Sequence, residues 1–593
     1  MGSITTQGTT SKSSLAAGLA DEALTESTHH SDYEDDPVEC FDNYKLLLDG
    51  TEWLDGYPDI EHHQNYEQNG FHPVLLGDVL GDGGRFRVVH KLGYGGFATV
   101  WLCHDKVSKK WRAVKIMRAH PSTADCPDTK ALKLFGGISP DVLAANGVQL
   151  PLEQFWIEGP NGRHLCFVLP LLGPNLLNVA RRYCHVPDLM KDVCFRLVMA
   201  MKFIHSRGLC HGDFRPENIL FRLADGVDEW EEEAILELLG EPETIQIQHV
   251  EGPQVDLEPG IPRYLVKPAQ ITFSGGVCSS QVAVIDFGVS YPVTQTPADG
   301  SGVPLPYTAP EELFGQYDRL GIHTDIWALG VALTKVRIGV EPFADDLYNT
   351  PMDALQAMER IMGPLPEPYR SIWKDLDKVF INSQDEEGSP LGDDDSWKDE
   401  SVMATVHTLD EQSSCKERFE ERGHAHFLGF CMRSPRVMRI TEQEAAKITN
   451  LAAADPGQMP GFSLTSDQRG LKYEEQVQYQ MPMDELDQML NLLLKIFRWQ
   501  PKDRAALDQI ANHEWFGDRN KRQQATAASG SAPDLGWGLI KKVWESWTSY
   551  PGRVALGLSR GTCWLGWLAF RGLSKVGKTI SLMAAAVRRR LEV

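Results

Sequence analysis

The stretch HGDFRPEN occupies residues 211–218, and four other short segments accompany it in a fixed order along the chain. GYGGFATV stands at 93–100 and AVK at 113–115, while DFG follows at 286–288 and APE at 309–311. Any one of these segments arises by chance in many chains, because glycine-rich stretches are mostly turns and tripeptides recur often. Their order and their separations make a chance origin of the whole set implausible. The five segments therefore predict a fold that gathers distant side chains at one site.

Together the segments resemble the characteristic parts of protein kinases. The resemblance implies a bilobal α+β fold, with a small β-rich N-lobe, a larger helical C-lobe and a nucleotide cleft between them. The local patterns agree with it. Residues 85–92 and 99–103 read as strands joined by a glycine-rich hairpin, and 111–117 and 164–169 read as further strands. Helical periodicity is clear over 189–206.

Composition sets broad limits on the class of protein. The chain has 593 residues, 42% of them apolar, which supports a substantial core. The eleven cysteines form no CxxC pairs and suit a reducing compartment, and we expect a location in the cytoplasm and nucleus. No uncharged apolar run reaches the length of a membrane span, and residues 1–19 lack the pattern of a secretory signal.

The formal net charge of −24 argues against direct nucleic-acid binding and favours basic partners. Much of this charge lies in segments that read as disordered, so an equally weighted interpretation is that the acidity mainly keeps the chain soluble. We expect a monomer.

Changes in composition divide the chain into five parts. The predicted organisation is a disordered acidic tail (1–65), a kinase N-lobe (68–171), a C-lobe (172–517) with insertions near 224–270 and 383–412, a linker (518–533) and a basic, aromatic-rich tail (534–593). Both insertions are interpreted as exposed excursions from the helical lobe. The last part fits peripheral membrane contact, a partner-binding helix or a mispredicted gene end, and the sequence leaves the three open.

Phosphoryl transfer requires positioning and charge neutralisation, and the segments contain residues for both tasks. Lys115 is the candidate ligand of the α- and β-phosphates. Asp213 is the candidate catalytic base for the substrate hydroxyl, and Arg215 is placed to neutralise the γ-phosphate. Asn218 and Asp286 are the candidate Mg²⁺ ligands, because this ion prefers oxygen donors shared with phosphates.

Glycines in the first segment allow backbone N–H groups to approach the phosphates. The predicted ATP-binding residues are Leu92, Gly93, Gly95, Gly96, Phe97, Val100, Ala113, Lys115, Leu169, Leu172, Asn218 and Asp286.

Two supporting interactions are also expected. Glu311, which ends the APE segment, should pair with a buried arginine, and Arg504 stands in the matching context. Asp325 resembles the helix residue that holds the backbone of the catalytic loop.

The sequence departs from the kinase pattern at two places. Gly212 replaces the arginine that grips a phosphorylated activation loop, so we expect activation without that phosphate switch. The segment 122–135 contains no glutamate to pair with Lys115 and offers only Asp125 and Asp128. Either an aspartate substitutes over a shorter reach, or the lysine is held less firmly.

Several stretches resemble the SR-protein kinase family. They are NGFHPVLLGD at 69–78, RFRVVHKLG at 85–93, TVWLC at 99–103, HLCFVL at 164–169, GIPRYLVKP at 260–268 and MGPLPEP at 362–368. The resemblance covers about residues 68–517 and implies ATP- and Mg²⁺-dependent phosphorylation of serines in basic, Arg/Ser-rich proteins such as splicing factors. Such activity would contribute to the regulation of mRNA splicing.

Three functions remain open at this point. The first is an active serine/threonine kinase of the SR-protein type. The second is a pseudokinase scaffold that binds nucleotide without efficient turnover, which the missing glutamate and Gly212 would support. The third is a kinase of lipids or small molecules, suggested only by the basic tail. Tyrosine specificity is disfavoured because Arg215 keeps a cation two residues after Asp213.

Overall fold

The computed structural model describes residues 44–48, 51–52, 60–184, 186–271, 277–343, 350–372, 436–440, 462–465 and 475–529. The chain divides into one unit of residues 1–537 and a second of 538–593, and the second lies outside the described residues. The predicted insertion at 383–412 and the basic tail at 534–593 also lie outside them. Among the described residues, no helix is long and apolar enough to cross a membrane.

The strands are β1 (Tyr44–Leu48), β2 (Thr51–Glu52), β3 (Val79–Leu80), β4 (Phe86–Tyr94), β5 (Ala98–Asp105), β6 (Lys110–Met117), β7 (Glu153–Gly159), β8 (Gly162–Pro170), β9 (Leu209–Cys210), β10 (Ile219–Leu223), β11 (Thr244–His249), β12 (Tyr264–Val266), β13 (Cys278–Val284), β14 (Tyr291–Pro292), β15 (Arg436–Ile440), β16 (Phe462–Thr465) and β17 (Glu475–Tyr479).

The α-helices are α1 (Pro127–Leu134), α2 (Pro140–Ala145), α3 (Leu176–Tyr183), α4 (Pro187–Ser206), α5 (Glu232–Leu239), α6 (Pro310–Leu313), α7 (Ile322–Ile338), α8 (Pro351–Met362), α9 (Met483–Ile496), α10 (Leu507–Ala511) and α11 (Arg519–Ser529).

A six-stranded sheet in the order β3-β4-β5-β6-β8-β7 forms the N-lobe. Its strands pair antiparallel with their neighbours, and the β4–β5 hairpin carries the glycine-rich segment, as predicted. Alternate residues of these strands point to opposite faces of the sheet. One face buries a core that includes Phe86, Trp101, Val114 and Val168. This core fixes the register of β6, and with it the position of Lys115.

The C-lobe is built around two long helices, α4 and α7. Helix α4 begins with Pro187 at its first turn and buries ten side chains between Leu189 and Ile204. Helix α7 is apolar on nearly all sides and occupies the centre of the lobe, with Trp327 fully buried. Helix α4 packs against β9 and β13, and α7 packs against β9. Strands β10 and β14 pair with β13 and β9, and the four strands flank the catalytic and DFG segments. The bilobal α+β fold is confirmed.

The N-terminal segment differs from the predicted disordered tail. Residues 44–48 form β1, which pairs antiparallel with β11 and places Leu46 opposite Ile247. Strands β12, β11, β1 and β2 form a second sheet in that order. Its apolar side chains form a cluster with Ile60, Tyr66 and Phe71. Residues 44–48 and 60–66 are therefore part of the folded domain, because burial of these apolar groups offsets the entropy lost on ordering them.

The first insertion also differs from its prediction, because it packs on the N-lobe rather than extending from the helical lobe. Ile235 and Leu239 of α5 pack against Trp111 and Leu102 of the N-lobe sheet. The indole Nε1 of Trp111 donates to the backbone oxygen of Trp230 at 2.7 Å. The insertion is therefore anchored to the sheet by apolar contacts and by a partly buried hydrogen bond.

The acidic run of this insertion is largely matched by N-lobe cations. Asp228 lies 3.2 Å from Nζ of Lys110 and 3.3 Å from a guanidinium nitrogen of Arg112, and Glu232 pairs with Arg87. The run reads as solvated in the sequence because its partners are more than one hundred residues away. Part of the negative charge is thus used within the domain.

The predicted linker at 518–533 is also corrected in part. Helix α11 occupies Arg519–Ser529, and the Arg519 side chain is buried and pairs with Asp192 of α4. A second nitrogen of its guanidinium lies 3.2 Å from a carboxylate oxygen of Asp188. The start of this segment is therefore a docked helix.

Candidate active site

Lys115 lies between two carboxylates. Its Nζ is 2.7 Å from Oδ1 of Asp286 and 3.6 Å from Oδ1 of Asp128. The register places Lys115 opposite Val100 on β5 and Phe167 on β8. Burial favours the neutral amine, but the two carboxylates outweigh it and raise the pKa of Lys115 above its usual value. The lysine therefore carries a firmly positive charge in the cleft.

Asp128 takes the place of the expected glutamate, so the first of the two alternatives left by the sequence holds. Pro127 begins helix α1, and Asp128 stands in its first turn, where the helix dipole favours a negative charge. Burial and the charge of Asp286 nevertheless raise the pKa of Asp128, while Lys115 lowers it. This carboxylate is kept close to Lys115 at some cost in folding free energy.

The DFG segment follows β13 and turns Asp286 toward Lys115. Asp286 has a φ of +61°, in the left-handed region, and the Lys115 ammonium holds its pKa below the usual value. Phe287 is buried, with its ring centroid 4.9 Å from that of His211 and 6.1 Å from that of Phe135 at the end of α1. The aspartate thus faces the cleft while the phenylalanine packs beneath α1.

Asp325 of α7 organises the catalytic loop, as the sequence predicted. It accepts hydrogen bonds from the backbone N–H groups of His211 at 2.7 Å and Gly212 at 3.0 Å. His205 donates to the same carboxylate at 2.9 Å. Burial opposes the charge of Asp325, but these donors lower its pKa and keep it ionised.

Asp213, Arg215 and Asn218 are in direct contact. The Asn218 side-chain nitrogen donates to Oδ2 of Asp213 at 2.6 Å, and Nε of Arg215 lies 3.0 Å from Oδ1. Two donors therefore orient the Asp213 carboxylate. Asn218 contacts Asp213 through its amide nitrogen, so its Oδ1 is left to serve as a ligand for a cation.

Backbone hydrogen bonds join the catalytic loop to the DFG segment. The N–H of Ile285 donates to the Asn218 carbonyl oxygen at 2.9 Å, and Nε2 of His211 donates to the Ile285 carbonyl oxygen at 3.1 Å. Strand β10, which follows Asn218, pairs with β13, which precedes Asp286. The candidate residues 213, 218 and 286 are thereby brought to one end of this hairpin, and Lys115 reaches Asp286 from the N-lobe.

The predicted nucleotide-binding residues of the N-lobe share one sheet face with Lys115. Val100 is opposite it, Ala113 is two residues before it on β6, and Leu169 is opposite Ala113. Leu92 packs in a cluster with the first insertion. These positions form an apolar surface next to the lysine.

The other predicted contacts lie around this surface. Leu172 is buried where the chain passes into the C-lobe, and Phe97 is 63% exposed at the tip of the glycine-rich hairpin. A Cβ added to Gly93, Gly95 or Gly96 would meet no atom of the described residues within 4 Å. The hairpin tip therefore leaves its backbone open to a ligand.

Gly212 is required by the backbone itself. It has a φ of +81°, and an added Cβ would lie 2.6 Å from the carbonyl oxygen of Val289. An arginine here would need a shift of the backbone. The arginine of the usual kinase pattern is therefore sterically disfavoured at this position.

A different contact, which the sequence did not predict, holds the segment before APE. The backbone N–H and the hydroxyl of Ser301 donate to Oε1 of Glu312 at 2.5 and 2.7 Å. The sequence signal for this contact was the acidic pair Glu311-Glu312, which directly follows Pro310. This contact fixes the activation segment without a phosphate.

The Glu311–Arg504 pair is confirmed. Two guanidinium nitrogens donate to the two carboxylate oxygens at 2.8 and 2.5 Å, and both side chains are fully buried. Thr324 donates to Glu311, and the guanidinium lies 5.1 Å from the ring centroid of Trp327. This pair anchors the activation segment to the C-lobe core.

Known sequences similar to this chain are kinases. Serine/threonine-protein kinase spk-1 of Caenorhabditis briggsae is 33% identical over 192 residues, which cover 31% of this chain and 17% of that protein. SRSF protein kinase 3 of Homo sapiens is 33% identical over 186 residues, covering 29% and 32%. Serine/threonine-protein kinase SKY1 of Saccharomyces cerevisiae is 33% identical over 175 residues, covering 28% and 23%. The match thus spans less than a third of each relative, and it confirms the resemblance to SR-protein kinases.

The family described as "Protein kinase domain" matches residues 86–227 and 266–516, well over half of the chain. The gap between the two matched ranges falls on the insertion that packs against the N-lobe. With the catalytic loop, the DFG segment and Lys115 gathered at one cleft, the chain belongs to the protein kinase family.

Proposed function

We propose that the protein is an ATP-dependent serine/threonine kinase that phosphorylates basic, Arg/Ser-rich proteins such as splicing factors. The observation that carries the proposal is the position of Lys115, charged and held between Asp128 and Asp286. Asp286 is in turn joined through Ile285 to the loop that orients Asp213.

In this mechanism Asp213 accepts the proton of the substrate hydroxyl as the serine oxygen bonds to the γ-phosphorus and the bond to ADP breaks. Arg215, next to Asp213, stabilises negative charge on the transferred group. Lys115 holds the α- and β-phosphates. The oxygens of Asn218 and Asp286 suit Mg²⁺, which supplies further neutralisation of phosphate charge when bound.

Two features support a basic protein substrate. The chain carries a net charge of −24, which attracts cationic partners even though part of the insertion's acidity is paired internally. The similar human protein is named as an SRSF protein kinase. Peptide binding would also use the activation segment, whose end is held by the Ser301–Glu312 hydrogen bond and by the Glu311–Arg504 ion pair.

The pseudokinase alternative rested on the missing glutamate and on Gly212. Asp128 supplies the counter-charge for Lys115, and the Ser301–Glu312 contact replaces a phosphate clamp. Both departures are therefore compensated, which favours an active enzyme.

The test is transfer of labelled phosphate from ATP to an Arg-Ser repeat peptide, with a Lys-Ser repeat of equal charge as the matched substrate. We expect transfer to serine, preference for the arginine peptide, and loss of about 100-fold or more in kcat for Asp213→Asn. The Lys115→Met variant should weaken both ATP binding and turnover. Folded wild-type protein that binds ATP but transfers nothing at high enzyme concentration would favour the pseudokinase.

We also propose that the protein acts as a monomer in the cytoplasm and nucleus without contacting nucleic acid directly. A role for residues 534–593 in membrane contact is tested by liposome sedimentation of the full chain and of a variant lacking this segment. Equal sedimentation of the two proteins would dismiss it.

A further inference from the structure

Arg118 connects the glycine-rich hairpin to a segment that the family match does not include. One of its guanidinium nitrogens donates to the carbonyl oxygen of Gly96 at 3.2 Å, and another donates to Oδ1 of Asn65 at 3.0 Å. Its backbone N–H donates to the carbonyl oxygen of Phe97 at 2.8 Å. The guanidinium also lies 4.8 Å from the ring centroid of Phe71. One side chain thus ties the hairpin tip to residues before β3.

Lys91 makes a second connection at the root of the same hairpin. It stands two residues before Gly93, is fully buried, and pairs with the buried carboxylate of Glu61. Tyr66 donates its hydroxyl to the same carboxylate at 2.6 Å. The ammonium also lies 5.5 Å from the ring centroid of Tyr94, within the hairpin. A buried ion pair that is hydrogen-bonded in this way fixes the relative positions of its partners.

Residues 60–71, here called the brace, are themselves held firmly. The side-chain nitrogen of Asn161 lies 2.9 Å from the carbonyl oxygen of Tyr66, 2.7 Å from that of Phe71 and 3.0 Å from that of Gly260. The N–H of Ala119 donates to the carbonyl oxygen of Gly70 at 3.0 Å. The brace is therefore fixed to the β7–β8 turn, to the end of β6 and to the insertion.

We propose that the brace positions the glycine-rich hairpin over the nucleotide, with Arg118 and Lys91 as the positioning residues. Three glycines give the hairpin tip large conformational freedom, so closing it over phosphates costs entropy. Attachment at the root and at the tip removes part of this cost before ATP binds, which strengthens binding without touching the reacting atoms. The inference rests on the proposed kinase function, and it assigns nucleotide affinity to a segment outside the kinase motifs.

The experiment compares Asn65→Ala and Arg118→Met with Gln68→Ala in the full chain. Asn65 and Arg118 form the bridge to Gly96, whereas Gln68 lies on the brace and contacts Asn161 instead. Calorimetry gives the Kd for ATP with Mg²⁺, kinetics give the KM for ATP, the KM for peptide and kcat, and thermal unfolding without nucleotide gives stability.

We expect Asn65→Ala to raise the Kd and KM for ATP about fivefold, the effect of one net hydrogen bond, and Arg118→Met to raise them further. The KM for peptide and kcat should stay within about twofold, and Gln68→Ala should resemble wild type. Arg118→Lys should recover only part of the affinity, because a single ammonium lacks the fork that reaches both oxygens.

The possible outcomes distinguish the proposal on the brace from the proposed kinase activity. Unchanged ATP affinity in both Asn65→Ala and Arg118→Met would overturn the brace and leave the kinase function standing. Weakened ATP binding in these variants, with no phosphate transfer by wild type, would support the brace and overturn the proposed activity. A wild-type protein that binds no nucleotide would overturn both. A loss of thermal stability with unchanged ATP affinity would mean that the brace only stabilises the fold, which would also overturn the proposal.

Discussion

Oδ1 of Asp128 lies 3.6 Å from Nζ of Lys115, so an aspartate in the first turn of a short helix serves as counter-ion to the cleft lysine. The side chain is shorter than glutamate, and the helix begins at Pro127, next to the ion pair. The charge balance around Lys115 therefore depends on the first turn of helix α1. Asp128 is also the carboxyl whose pKa is raised by burial and by Asp286.

Asp128→Asn should separate activity from stability. The variant removes a charge that the fold disfavours, so we expect the free energy of unfolding at pH 7 to stay equal or rise. The catalytic efficiency kcat/KM for ATP should fall about tenfold or more, because Lys115 loses one of its two partners. Denaturant unfolding and steady-state kinetics on the same preparations measure both.

The pH dependence gives the control for this variant. The pKa of Asp128 is higher in the folded protein than in the unfolded chain. Its carboxyl therefore stabilises the fold at acid pH, and this stabilisation is lost as the pH rises through the folded-state pKa. Any stability advantage of Asp128→Asn should therefore be present at pH 7 and shrink toward about pH 4. An advantage that grows on acidification would contradict this assignment.

Gly212→Arg, which restores the usual kinase residue, should impair the protein. The backbone at this position has a φ of +81° and stands close to the carbonyl oxygen of Val289. A side chain here costs about 1–2 kcal/mol of unfolding free energy in the left-handed region alone, and the contact adds to it. Gly212→Ala is the matched control, since it carries the same backbone strain without the charge. Increased phosphate transfer in Gly212→Arg would argue against a steric conflict between this position and Val289.

Removing Arg504 should strongly destabilise the C-lobe. Arg504→Met leaves Glu311 buried without its cation, and breaking such a pair costs about 3–5 kcal/mol of unfolding free energy. The double variant Glu311→Gln/Arg504→Met should recover a large part of this loss, because no uncompensated charge remains. Chemical denaturation of the four proteins completes a double-mutant cycle. Strictly additive losses would mean that the two residues are not coupled.

His72 should make the protein sensitive to mild acid. Burial, with a smaller effect of His164, lowers the pKa of His72 to about 4 from 6.5. On acidification the unfolded chain therefore binds this proton at a higher pH than the folded protein does. The free energy of unfolding should fall as the pH drops from 6.5 toward about 4, by up to about 3 kcal/mol. Urea unfolding of wild type and His72→Gln at several pH values checks this. Parallel pH profiles for the two proteins would exclude His72 as the cause.

The local motifs of the site could be predicted from the sequence because their chemistry lies within a few residues. Asp213 and Asn218 are five residues apart and contact each other through one loop. Glu311 and Arg504 are 193 residues apart, yet each stands in a recognisable segment, so their pairing was also predicted. Asp128 was left as one of two alternatives, because residue type alone does not give the distance to Lys115.

Long-range pairing outside the motifs was not predictable in this way. Strand β1 has five residues, and its partner β11 follows about two hundred residues later, so neither shows a strong pattern by itself. The acidic run read as solvated because its partner Lys110 is 118 residues from Asp228. An ion pair between residues that are far apart in sequence cannot be predicted from either short segment alone.

The pairing of β1 with β11 bears on how the protein is divided into fragments for experiments. A recombinant fragment starting at Phe86, where the family match begins, would lack Leu46 and Glu61. Strand β11 would then become an unprotected edge beside bare apolar groups, and the Lys91 ammonium would lose its carboxylate partner inside the protein. We expect such a trimmed fragment to aggregate during expression, and its failure would say nothing about the activity of the full chain.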